Sequence, residues 1–86
     1  MMITFKDAYR EIDQIYKRFG AKGVGAAADC GDEWAFHHGG GKMVGIPIIF
    51  VNKETGEQRD YNFLTATEEE TKKLNSGKLL DIKEML

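Results

Sequence analysis

Val44-Gly45-Ile46-Pro47-Ile48-Ile49-Phe50-Val51-Asn52-Lys53-Glu54-Thr55-Gly56-Glu57-Gln58 joins an apolar, β-branched run to a turn signature. In an extended chain Ile46, Ile48 and Phe50 fall on one face and Ile49 and Val51 on the other, so the spacing predicts a strand over Val44–Asn52 covered on both sides. Pro47 has no N–H for a ladder and belongs at a strand start, at a bulge, or facing away from its neighbour. Asn52 to Glu57 reads as a tight hairpin in which Gly56 takes the positive φ, and Gln58–Phe63 returns as the next strand.

Working toward the N-terminus, Gly39-Gly40-Gly41-Lys42 reads as a flexible loop. Glu33–His38 alternates Trp34, Phe36 and His38 against Glu33, Ala35 and His37, placing Trp34 and Phe36 in a core. Val24–Asp29 is a strand of small residues that permits close approach, joined to its successor by a turn at Cys30-Gly31-Asp32. Glycines at 23, 25, 31, 39, 40, 41 and 45 exclude a helix from this middle third. Before it, Phe5, Ala8, Tyr9, Ile12, Ile15, Tyr16 and Phe19 recur at spacings of three and four, which predicts a helix over 5–19. Thr4 caps it, Asp7 stands at the capping-box position, and Gly20 follows its end.

Beyond the hairpin, Thr67-Glu68-Glu69-Glu70 opens a short helix with acids at its positive pole, and Asn75-Ser76-Gly77 ends it. Leu79, Leu80, Ile82, Met85 and Leu86 are too apolar for a solvated tail and are expected on the sheet or on a second copy of the chain. The expected architecture is α+β: an N-terminal helix packed on a four-stranded antiparallel meander, with a short C-terminal helix, in a single domain over 1–86.

Composition limits what this domain does. Twelve Lys+Arg against fourteen Asp+Glu give a net charge of −2, and Lys17, Arg18 and Lys22 are too few for a nucleic-acid face. The apolar run at 46–51 is far short of the ~20 residues that span a bilayer, and the acid at Asp7 interrupts any secretion signal, so a cytoplasmic location with no membrane association is expected. One cysteine, Cys30, provides neither a disulfide nor a thiolate zinc set. His37 and His38 point to opposite strand faces and so do not share a metal ion, while Asp32 and Glu33 are placed in solvent by the turn. A Cys30 nucleophile has no positioned base, and Asp29 and Asp32 disfavour its thiolate. The glycine loop lacks the helix that a phosphate cradle requires directly after it. No catalytic residue, metal or cofactor is assigned.

Ile3-Thr4 opening a helix, Trp34-Ala35-Phe36 in a strand, and Gly45 to Glu57 together resemble the small YrhB-like domains over most of the chain. The resemblance implies a role like that of immunity proteins of bacterial toxin systems, or a chaperone role, and it transfers no catalytic residues. The expected activity is therefore non-catalytic protein binding, with Asp32, Glu33, Trp34, Gly39, Gly40, Gly41 and Lys42 as the contact region, since acids and a mobile loop suit a basic partner. The alternatives are a structural module whose homodimer buries strand three and the tail, and a small metal- or ligand-dependent enzyme.

Overall fold

Thr4 starts the first helix by accepting the Asp7 N–H at 3.1 Å, and the helix, α1, runs over Phe5–Arg18. Phe5, Ala8, Ile12 and Tyr16 form its buried stripe. The computed structural model describes residues 3–39, 47–61 and 65–86. Within these follow β1 (Val24–Asp29), β2 (Glu33–His38), β3 (Ile48–Asn52), β4 (Gln58–Tyr61), α2 (Glu68–Asn75), β5 (Lys78–Leu80) and α3 (Ile82–Met85). The α+β class and the meander are as expected. The part of strand three expected at 44–46, the end of strand four at 62–63, and Gly40, Gly41 and Lys42 lie outside the described residues. Pro47 stands immediately before β3, at the strand start.

The sheet has five strands, not four, in the order β4-β3-β2-β1-β5. All four pairings are antiparallel. The fifth strand comes from the apolar tail, which returns past α2 to pair Lys78, Leu79 and Leu80 with Asp29, Ala28 and Ala27 of β1. In the β3–β4 hairpin Asn52 Oδ1 accepts the Glu54 and Thr55 N–H groups at 2.8 and 3.0 Å. Gly56 takes φ +75°, a conformation that a side chain would strain. The Ile3 N–H donates to the Lys53 carbonyl at 2.9 Å and ties the chain's entry to that turn.

Alternation along the strands separates two cores. Facing α1 are Ala27, Trp34, Phe36, Ile49 and Val51. The Phe5 ring stands edge-on to Trp34, with centroids 5.5 Å apart at 86°. Each large side chain buried here contributes about 1.5–3 kcal/mol of transfer free energy, so α1 is held by apolar burial. The second face carries Ala28, Ala35 and Phe50, with Cys30, Ile48, Tyr61 and Leu74 around them. Leu74 identifies α2 as the second cover that the doubly apolar strand three requires.

One polar group sits inside the α1 core. Tyr16 is fully buried, and its hydroxyl stands 2.7 Å from the Phe36 carbonyl and 2.9 Å from the Pro47 carbonyl. Its single proton is given to one of them at a time. Burial pushes the phenol's pKa far above its ordinary value, so it stays a donor. Tyr16→Phe leaves these carbonyls without that donor and is expected to cost about 1–3 kcal/mol of unfolding free energy in urea titration, with the fold retained.

Candidate functional site

The most concentrated group of ionisable side chains lies on the face opposite α1. Strand parity puts Glu33 there with Ala35, and Glu33 is only 6% exposed. This corrects its expected place in solvent; Asp32, one residue earlier, is exposed as expected. The turn ends before Glu33, which is already paired with Asn52 of β3. Its carboxylate is satisfied from two elements. Arg59 of β4 reaches over the Phe50 ring, its guanidinium carbon 4.5 Å from the centroid. It forks onto Glu33 through Nε at 3.0 Å and Nη2 at 2.8 Å. Lys73 of α2 adds Nζ at 2.6 Å and also reaches Asp32 at 2.6 Å. Glu70 of α2 closes the group by accepting Arg59 Nη1 at 3.1 Å.

The charges set each other's proton affinities. Arg59's hydrogen bonds hold the Glu33 carboxyl below its ordinary range against the opposing effect of burial, and Lys73 lowers it further. Lys73's hydrogen bond lowers Asp32 in the same way. For Lys73 burial acts downward, but Asp32 and Glu33 outweigh it and raise its pKa. No buried side-chain nitrogen or oxygen lacks a hydrogen-bond partner among the described residues.

A second pair fastens the β1–β2 turn to the hairpin. Lys53 Nζ lies 2.7 Å from Asp29 Oδ1 and 5.5 Å from the Trp34 ring centroid. The Lys53 N–H donates to the Asp32 carbonyl at 3.0 Å. Lys53's hydrogen bond, helped by the Gly31 N–H, keeps Asp29 below the usual carboxylate range.

The described residues of the expected contact region are set apart by the fold. Asp32 precedes β2 and Gly39 follows it, so the two stand at opposite ends of one strand. Glu33 and Trp34 are buried on opposite faces, the first under Lys73 and the second against Phe5. Gly40, Gly41 and Lys42 fall outside the described residues. Of that set, Asp32 offers an exposed charge, and Lys73 already engages it.

His38 borders the core, its ring edge-on to Tyr16 at 6.1 Å between centroids and its Nδ1 2.7 Å from the Gly39 carbonyl. His37 is half-buried, and burial, with His38 adding, lowers its pKa. Among the described residues no three His, Cys, Asp or Glu side chains gather as metal ligands would. Cys30 is buried, and burial raises its thiol pKa, as Asp29 and Glu33 also do.

Apolar surface is displayed at another corner. Leu79 of β5 is 74% exposed, followed by Leu86 at 49% and Met85 at 41%. Leu79 also lines an open depression of about 430 Å³ with Gly25, Ala26, Leu80, Asp81, Ile82 and Lys83. Leu80 and Ile82 pack inward against the α1-side core. Sequence reading found this apolar tail without knowing which of its residues turn outward. Arg59 and Lys73 are not legible as partners of Glu33, because a Gln-Arg-Asp-Tyr strand and a Lys-Lys pair on a short helix read as solvated. Compared with known protein families, curated proteins and solved structures, the chain has no match.

Removing Arg59 leaves Glu33 with Lys73 alone. Arg59→Ala is expected to cost about 1–3 kcal/mol, below the full cost of breaking a buried pair because the Arg59 side chain is partly exposed and a second cation remains. The sign of the pH effect follows from Glu33's lowered folded pKa. As pH falls the unfolded chain takes up the proton first, so Glu33's stabilisation is complete above its ordinary value of 4.5 and is lost as pH drops through the folded value. The difference in urea midpoint between wild type and Glu33→Gln is expected to stay constant above that pH and to shrink below it.

Proposed function

We propose that this chain is a non-catalytic protein-binding domain that meets its partner at the β5–α3 corner. The observation that supports this is the exposure of Leu79 on a short edge strand at an open depression, with Met85 and Leu86 exposed at the end of the following helix. Clustered apolar surface of this kind is where protein partners dock, and an open strand edge adds backbone donors and acceptors. Lys78, Asp81 and Lys83 are exposed and give the corner the polar rim that such interfaces have. Elsewhere several charged groups are engaged in holding elements together: Asp29 with Lys53, Glu33 with Arg59 and Lys73, and Asp13 with the Val24 N–H.

The immunity-like role implied by the sequence resemblance, occlusion of a toxin's working surface within the cytoplasm, is the specific form this reading takes. No helix among the described residues is long and apolar enough to cross a membrane. Self-association is the second reading, favoured by the same exposed Leu79. Ile49, Phe50 and Val51 of strand three are buried within the chain and support no contact there. A dimer would use the tail alone.

Leu79→Asp tests both readings with little effect on folding, since the side chain is mostly in solvent. Cross-linked capture from host cells is expected to recover a protein that Leu79→Asp loses and the surface control Lys6→Glu keeps. A concentration-dependent mass in sedimentation, abolished by the same substitution, supports self-association instead. A strict monomer that captures nothing dependent on Leu79 overturns the proposal.

A further inference from the structure

α2 covers the second face of the sheet, yet none of its residues is buried. Four side chains attach it. Leu74 packs on Ala28, Cys30, Ala35 and Phe50, and Thr71 Oγ1 meets Tyr61 Oη at 3.2 Å. Glu70 accepts from Arg59, and Lys73 donates to Asp32 and Glu33. Just past the helix, a Cβ on Gly77 would lie 2.7 Å from Cys30 Sγ, so the Gly77 backbone is pressed directly onto the thiol.

We infer that α2 is a releasable strap, which opens from the sheet while α1 and the strands stay folded and thereby uncovers Cys30, Ala35 and Phe50. This device is independent of the β5–α3 contact surface. Its basis is the division of the charge group between elements. Glu33 and Arg59 both belong to the sheet, on β2 and β4, and their two-pronged contact does not involve α2. When α2 leaves, Glu33 keeps its guanidinium and Arg59 keeps the Phe50 ring, so opening strands no buried carboxylate.

Three ion pairs must break, and one of them, Lys73 with the buried Glu33, leaves that carboxylate to Arg59, which stays on the sheet. The Asp32 side chain is 75% exposed and that of Glu70 34%, so salt screens both pairs. Once free, an eight-residue helix is below the ~12–15 residues that hold helical structure in water, and it gains chain entropy by unwinding. α1 has no such exit, because leaving would expose Phe5, Ile12 and Tyr16.

Cys30 is the chain's one cysteine and reports the opening. Its alkylation by iodoacetamide, a neutral reagent, is followed at fixed pH in about 0.01 M and about 1 M sodium chloride and normalised to a small model thiol. Fluorescence of Trp34, which packs on the α1 side, monitors the rest of the fold. The rate is expected to rise several-fold with salt while Trp34 emission stays native, and Glu70→Gln is expected to raise it several-fold at low salt. Hydrogen exchange supplies a reading without the thiol: the α2 amides are expected to exchange ahead of those of β2 and β3, and faster in salt. A rate insensitive to both salt and Glu70→Gln, or one that rises only as Trp34 emission is lost, overturns the strap.

Discussion

A carboxylate shut inside a domain of 86 residues is the constraint on which the second half of this fold turns. Moving an ionised Glu33 out of water costs several kcal/mol even after relaxation, and only closely placed cations offset it. Arg59 meets that need because β4 pairs with β3 in the register that sets Arg59 opposite Phe50, and Phe50 opposite Ala35. The small Ala35 and the flat Phe50 ring leave a path along which the guanidinium lies on one side chain and forks onto another. A slip of one residue in the hairpin would turn Arg59 to the opposite face and leave Glu33 with Lys73 alone. The Asn52 to Gly56 turn therefore does more than reverse the chain: it fixes a register on which a charge balance depends.

The first half obeys a simpler rule. α1 presents an unbroken apolar stripe, β2 presents Trp34 and Phe36, and their contact is area removed from water, with little directional demand. The exception is Tyr16, whose hydroxyl serves the carbonyls of Phe36 and Pro47. By linking the end of β2 to the start of β3, that hydroxyl holds together the side of the sheet farthest from the β3–β4 turn. The two polar fasteners thus stand at opposite ends of the central strands, Tyr16 under α1 and Glu33 under α2.

These differences explain what was legible in the sequence. α1 ends within a residue of its expected bound, and β1 and β2 match theirs, because helical period, strand alternation and glycine placement act locally and agree. The hairpin was equally plain. Glu33 was misplaced because a carboxylate next to a turn is ordinarily solvated, and the partners that bury it come from positions 59 and 73, which no local pattern ties to it. β5 went unrecognised as a strand because three residues, Lys-Leu-Leu, carry no period, and their pairing with β1 follows only once α2 has been laid across the sheet. Of the expected contact residues, Asp32, Glu33, Trp34 and Gly39 do not share one surface, for an equally physical reason. Neighbours on a strand diverge to opposite faces, and a six-residue strand sets its two ends about 20 Å apart.

The unequal covers on the two faces also set where this domain yields first. Apolar burial under α1 is insensitive to ionic strength and is lost only with the core, whereas α2 is held by one leucine, the Thr71–Tyr61 hydrogen bond and ion pairs to Arg59, Asp32 and Glu33. Because Glu33 and Arg59 are both carried by the sheet, the expensive part of the electrostatics stays behind when the cheap part is given up. Had α2 alone supplied the cation for Glu33, detachment would expose an unpaired buried charge, and the helix would be locked to the fold as firmly as α1. The position of one arginine, on a strand rather than on the helix, separates a fixed cover from one that lifts.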